Sequence, residues 1–153
     1  MTLGTRANSN GVDLNRNFPA KNWKPDPIFY KNAKGETQDI ELSPGRSPGS
    51  ESETKSLVKL MDVLRPKFLI GIHAALACIE DPEFSELSKW VANRSKLQLV
   101  ESVGYETPGS LGSWAADNKI TIITYELPSD SLMDIKNNHL SIIIDLLMGK
   151  YKL

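Results

Sequence analysis

The sequence predicts an α/β domain with a mostly parallel or mixed sheet flanked by helices. Apolar runs of strand length, FLIGI at 68–72 and TIITYEL at 121–127, alternate with segments of helical spacing such as Leu57, Leu60, Met61 and Leu64. Strands interleaved with helices are the pattern a sheet covered by crossover helices requires. At 153 residues the chain suits one core and is short for two, so residues 1–153 read as a single domain.

Each element has its own signal. Residues 1–50 are rich in Asn, Pro, Gly and Lys without a sustained period, and GETQDIELSPGRSPGS is almost all turn chemistry, so this stretch is expected to be loop built around a site. Ser50 and Glu53 have capping-box spacing and open a helix that Arg65-Pro66 ends. KFLIGIHA then reads as a buried strand. A second helix is expected over Pro82–Asn93, with Phe84, Leu87, Trp90 and Val91 on one face. LQLVESV reads as a strand, GSLGSWAADN as a short helix, KITIITYEL as a buried strand, and Ser131–Met148 as an amphipathic helix. No internal repeat is visible.

The totals exclude several functions. Eighteen basic residues against nineteen acidic ones leave no electrostatic footprint for nucleic acid or an anionic membrane surface. The apolar run LSIIIDLLM is broken by Asp145 and too short to span a bilayer, and MTLGTRANSNG lacks the apolar centre of a secretion signal. The expected location is the cytoplasm, unless a signal was lost with an N-terminal segment. A single cysteine, Cys78, rules out an internal disulfide and a multi-cysteine zinc site, and two histidines leave few metal ligands.

In an open α/β sheet, ligands bind beyond the carboxyl ends of the strands. His73 follows FLIGI and Glu126 follows TIITY. Alone, each has an ordinary structural explanation. On one edge together they suit metal-assisted amide hydrolysis, in which an imidazole binds zinc and a nearby carboxylate takes a proton from the metal's water. Asn15-Arg16 offers a flat fork of donors for a free carboxylate, and Arg6 is a candidate to stabilise an oxyanion.

The fragments RANSNGVDLNRNFP, GSESET, GIHA, GYETPGSLGSW and ITYELP occur here in the order found in the zinc metallocarboxypeptidase (carboxypeptidase A-like) family. The resemblance runs from about Leu3 to Pro128 and is closest to the bacterial murein peptide amidase branch. It implies hydrolysis of an amide bond next to a residue with a free carboxylate, with zinc as cofactor and a peptide, such as a cell-wall peptide, as substrate. It further implies that His73 is a zinc ligand and Glu126 the general base, and that Arg6 polarises the scissile carbonyl. By the same resemblance Asn15 and Arg16 hold the substrate's carboxylate, Tyr105 closes over it, and Asp13 braces a metal-binding histidine from behind. Gly109, Ser110, Leu111 and Gly112 match the stretch that lines the specificity pocket, where small residues leave room for a diaminopimelate side chain. Glycines before a helix also have a purely steric explanation.

One family feature is missing. Members carry an HxxE motif upstream of GVDLNRNFP that supplies two zinc ligands, and this chain has none. Its other histidine, His139, comes after the catalytic strand, lacks a glutamate three residues on, and reads as an ordinary helix residue. The expectation is an incomplete zinc site, an inactive chain, and a Met1 internal to a longer protein. The alternative is a noncatalytic peptide- or carboxylate-binding module on the same scaffold. A sheet missing strands would also expose an edge open to self-association.

Overall fold

The computed structural model describes residues 6–31 and 37–151, so Leu3, where the resemblance begins, and residues 32–36 of the expected loop lie outside the described residues. In chain order the elements are β1 (Ile28–Lys31), β2 (Thr37–Leu42), α1 (Ser52–Leu64), β3 (Phe68–Ala74), β4 (Cys78–Glu80), α2 (Glu86–Ser95), β5 (Gln98–Val100), α3 (Leu111–Asp117), β6 (Thr121–Leu127) and α4 (Leu132–Leu147), with a 3-10 turn at Leu14–Arg16. They form two compact units, Met1–Leu69 with Glu106–Thr121, and Ile70–Tyr105 with Ile122–Leu153.

The first unit holds the hairpin β1–β2, in which Ile28 lies opposite Leu42 and the register shifts between Phe29 and Lys31. This corrects the reading of residues 1–50 as loop. The two strands are close neighbours in sequence, but β1 is only four residues long and β2, TQDIEL, is mostly polar, so neither shows an apolar alternation that a short-window pattern reads. Helix α1 begins one residue later than the Ser50 signal implied: Glu51 is its N-cap, and Ser50 Oγ donates to Glu51 Oε1 at 2.7 Å instead of capping. Arg65, left-handed at φ 46°, ends the helix and donates its N–H to the Met61 carbonyl. Val12, Phe18, Leu42, Met61, Trp114 and Ala115 are buried in this unit, with the Phe18 and Trp114 rings 6.4 Å apart.

The second unit carries the sheet, in the order β3-β6-β4-β5. Strand β4 runs parallel to β5 and antiparallel to β6, so the sheet is mixed, within the predicted class. Strand β4 was not anticipated, because three residues, CIE, are too few to show a period. Strand β3 has β6 as its one neighbour among the described residues, and none of its residues is buried. The expectation of a buried strand there fails because an apolar run predicts burial only when both sides of the strand are covered.

Helix α2 starts at Glu86 and not at Pro82. The Asp81 carboxylate accepts from the N–H groups of Glu83 and Ser85 and from the Ser85 hydroxyl, tying 81–85 into a turn, and Ser85 then caps the helix. Phe84 sits in that turn at φ 48° instead of on the helix face. Helix α4 is capped by Ser131 and buries His139 and Ile142, while Leu140, Ile144 and Leu147 stay exposed. His139 is an interior helix residue: its Nδ1 shares a 2.7 Å hydrogen bond with the Tyr125 hydroxyl, and burial holds its pKa below the usual imidazole value. Ile79, Val91 and Ile123 complete this unit's core. No helix among the described residues is long and apolar enough to cross a membrane.

Candidate active site

The predicted residues fall into two groups, one in each unit. In the first, Asp13 is buried and its Oδ2 lies 2.9 Å from Arg6 Nε, while its Oδ1 accepts the Asn15 N–H at 3.0 Å. The carboxylate therefore braces Arg6 and caps the turn that carries Asn15 and Arg16. That turn is three residues long because Asp13 terminates it on one side and Asn17, back-bonded to the Leu14 carbonyl, on the other. Arg16 is buried, and its Nη1 donates to the Asn15 carbonyl at 2.7 Å.

The segment before α3 is stitched to this turn. Asn15 Oδ1 accepts the Leu111 N–H at 2.8 Å, the Gly109 carbonyl accepts the Phe18 N–H at 2.8 Å, and the Gly109 N–H donates to Asn22 Oδ1 at 3.0 Å. Gly109 sits at φ +67°, and a Cβ there would run into the Arg16 carbonyl and the Trp23 ring. Its identity has a steric cause. Gly112 meets only ordinary van der Waals distances, and Ser110 caps α3 by accepting the Ser113 N–H.

Two residues of this group carried no sequence expectation of a supporting role. Asn17 is fully buried and donates to the Pro44 and Ser47 carbonyls and Ser50 Oγ, while its Oδ1 accepts the Glu51 N–H. Glu51 is buried, and donation from Asn10, Asn8 and Ser50 holds its carboxyl at about 2, well below the usual 4.5. An amide directly after Arg16 was the available signal, but its partners lie some thirty residues away in sequence.

In the second unit the ends of β3 and β6 bring His73 and Glu126 together, with His73 Nδ1 3.4 Å from Glu126 Oε1. The imidazole is 41% exposed and the carboxylate 8%. Glu126 Oε2 is shut off from solvent and, among the described residues, has no hydrogen-bond partner. Leaving a buried oxygen unpaired is costly, and such groups mark sites where another species completes the bonding. Cys78 lies opposite Glu126 across the ladder. Burial, reinforced by Glu126 and Glu80, raises its pKa and keeps it a thiol, a poor metal ligand. Tyr105 is half-buried between β5 and α3, next to Gly104 at φ +87°.

The zinc carboxypeptidase family profile matches residues 1–82. Murein peptide amidase A of Escherichia coli is 49% identical over 146 residues, covering 95% of this chain and 60% of that protein. The Vibrio campbellii murein peptide amidase A is 40% identical over 146 residues, covering 95% and 59%. The crystal structure of murein-tripeptide amidase MpaA from Escherichia coli O157 superposes with a TM-score of 0.88 at 48% identity, over 92% of this chain and 60% of that one. Thrombin activatable fibrinolysis inhibitor shares the fold, with a TM-score of 0.58 at 23% identity over 82% of this chain and 36% of that one. The chain thus spans about 60% of the length of the curated relatives it matches.

Proposed function

The chain belongs to the zinc carboxypeptidase family, and on that premise we propose that it supplies the carboxylate grip and the proton-handling group of a murein peptide amidase-type hydrolase. The observation that carries this reading is the His73–Glu126 pair, in which the buried Glu126 Oε2 has no partner among the described residues. The substrate is a peptide with a free carboxylate beside the scissile amide bond, such as a cell-wall peptide, and the place of action is the cytoplasm.

Catalytic zinc takes three protein ligands and leaves a position open. Among the described residues no group of three or more His, Cys, Asp or Glu could hold a metal ion, and His139 is committed to Tyr125. His73 beside one carboxylate does not by itself fit the metal, so the chain's contribution is what its other groups do. Arg16 and Asn15 bind the substrate's carboxylate; Asn15 spends its Oδ1 on Leu111, which leaves its amide hydrogens to donate. Arg6, aligned by Asp13, donates to the carbonyl oxygen as it gains charge. Glu126 accepts at a carboxylate oxygen a proton from the water that adds to the scissile carbonyl, and returns it to the amine that leaves as the C–N bond breaks. Tyr105 covers the bound peptide and excludes water.

The test is a protein extended upstream through an HxxE motif, assayed for zinc content and for cleavage of a murein tripeptide. Zinc retention with release of the terminal residue supports the reading. An extended protein that has HxxE yet neither holds zinc nor cleaves a carboxylate-terminated peptide contradicts it.

A second reading, a noncatalytic carboxylate-binding module, draws on the Asp13-braced Arg6, Asn15 and Arg16 cluster being assembled within one unit. Metal-independent peptide binding by this chain without turnover in any extended form supports it.

A further inference from the structure

The proposed chemistry gives Glu80 no task, yet the sheet places it on the face that carries Glu126. Residues directly opposite across an antiparallel ladder project to the same side, so Cys78 shares a face with Glu126. Glu80, two residues further along β4, returns to that face. A second carboxylate diagonal to the buried one repels it unless something else holds it there.

The partner of Glu80 supplies the reason. Its Oε1 accepts the Val103 N–H at 3.0 Å, and a carboxylate accepting a backbone N–H belongs to the stronger class of hydrogen bonds. Val103 stands two residues before Tyr105. Between them Gly104 is left-handed at φ +87°, with nothing within 4 Å of the place a Cβ would take, and it donates its N–H to Ser102 Oγ at 3.1 Å. A glycine in open space lets the backbone pivot. The Ser102 bond closes a local turn, and the Glu80 bond joins that turn to β4. The end of β4 is itself fixed, because the Asp81 N–H donates to the Val100 carbonyl at the end of β5 at 3.0 Å.

We propose that Glu80 is a positioning residue: by holding the Val103 N–H it sets the Gly104 pivot and, through it, the place of Tyr105 over the substrate. The proposal rests on the reading of Tyr105 as the residue that covers the bound peptide, whereas the anchor itself rests on geometry within one unit.

Residue-resolved amide hydrogen exchange and calorimetry with a murein tripeptide, both on this full chain, test it. In Glu80→Ala, exchange at Val103 and Gly104 is expected to speed up at least tenfold while Ile123 and Tyr125 in β6 stay within twofold of the parent, and tripeptide affinity is expected to fall at least fivefold. Glu80→Gln keeps a carbonyl acceptor and is expected to restore both to within threefold of the parent. Unchanged exchange at Val103 in Glu80→Ala, or Glu80→Gln behaving as Glu80→Ala does, overturns the proposal, as does a loosened loop with unaltered tripeptide affinity. Should Glu80→Ala not fold, the parent decides: a Val103 amide exchanging at least tenfold slower than in an unstructured chain supports the anchor, and an unprotected one removes it. A parent chain that binds no tripeptide contradicts the carboxylate grip and the covering role of Tyr105, while exchange at Val103 still decides the anchor.

Discussion

His73 Nδ1 lies 3.4 Å from Glu126 Oε1, an exposed imidazole against a buried carboxylate whose second oxygen has no protein partner among the described residues. The two side chains come from the ends of β3 and β6, neighbours in the sheet, so the ladder fixes their separation. The two side chains sit in different environments, the imidazole open to solvent and the carboxylate buried, as the proposed division into ligand and proton carrier requires.

Glu126→Gln in an extended, HxxE-containing protein is therefore expected to lower turnover by at least a hundredfold while zinc content stays at the parent level, because the amide keeps the shape and loses the base. Metal analysis alongside the murein-tripeptide assay reads both quantities. Loss of zinc in that variant would reassign the residue as a ligand, and His73→Ala is the variant expected to empty the site.

Asp13→Asn should destabilise the chain by roughly 2 kcal/mol in urea titration, since a buried acceptor of a charged donor is replaced by an amide. It should also weaken peptide binding, because Arg6 loses its alignment. An unchanged urea midpoint would mean that the Arg6–Asp13 contact does not organise this segment.

Gly109→Ala combines a left-handed backbone with a collision against the Arg16 carbonyl, at a combined cost of roughly 3 kcal/mol. Gly112→Ala, which meets nothing closer than ordinary contact, should be nearly neutral. Equal effects of the two substitutions would refute the steric account of Gly109.

Stability should fall at acid pH in two stages. His139 has a folded pKa depressed by burial from 6.5, so the unfolded chain binds its proton first, and stability present above pH 6.5 is lost as pH falls below it. Glu51, lowered from 4.5 to about 2, contributes stability present above pH 4.5 that is lost between about 4.5 and 2. Urea midpoints measured across pH should show the upper stage flattened in His139→Gln and the lower stage flattened in Glu51→Gln. Should His139→Gln not fold, the His139 ring resonances of the parent, titrating below pH 6.5, test the same point.

The layered class and most elements were legible because FLIGI, TIITYEL and the helical leucine spacing each exceed the length a period needs. Hairpin β1–β2 and strand β4 were not, since IFYK and TQDIEL are short or mostly polar and CIE is three residues long. The start of α2 was misplaced because Asp81 gathers backbone donors over 81–85, a competition that apolar spacing does not register. At the site, the residue types of GVDLNRNFP pointed to carboxylate binding, but that Asp13 serves Arg6 depends on a fold of the chain that brings residues 6 and 13 within 2.9 Å. The supporting roles of Asn17 and Glu51 were invisible because every partner that gives them meaning comes from another segment.

Isothermal titration calorimetry of this chain reads directly whether Asn15 and Arg16 grip a free carboxylate, the part of the proposed function that needs no metal. A murein tripeptide should bind without added metal, bind at least tenfold more weakly once its terminal carboxylate is amidated, and fail to bind Arg16→Ala. Equal affinity for the acid and the amide, or binding that survives loss of the guanidinium, would contradict it.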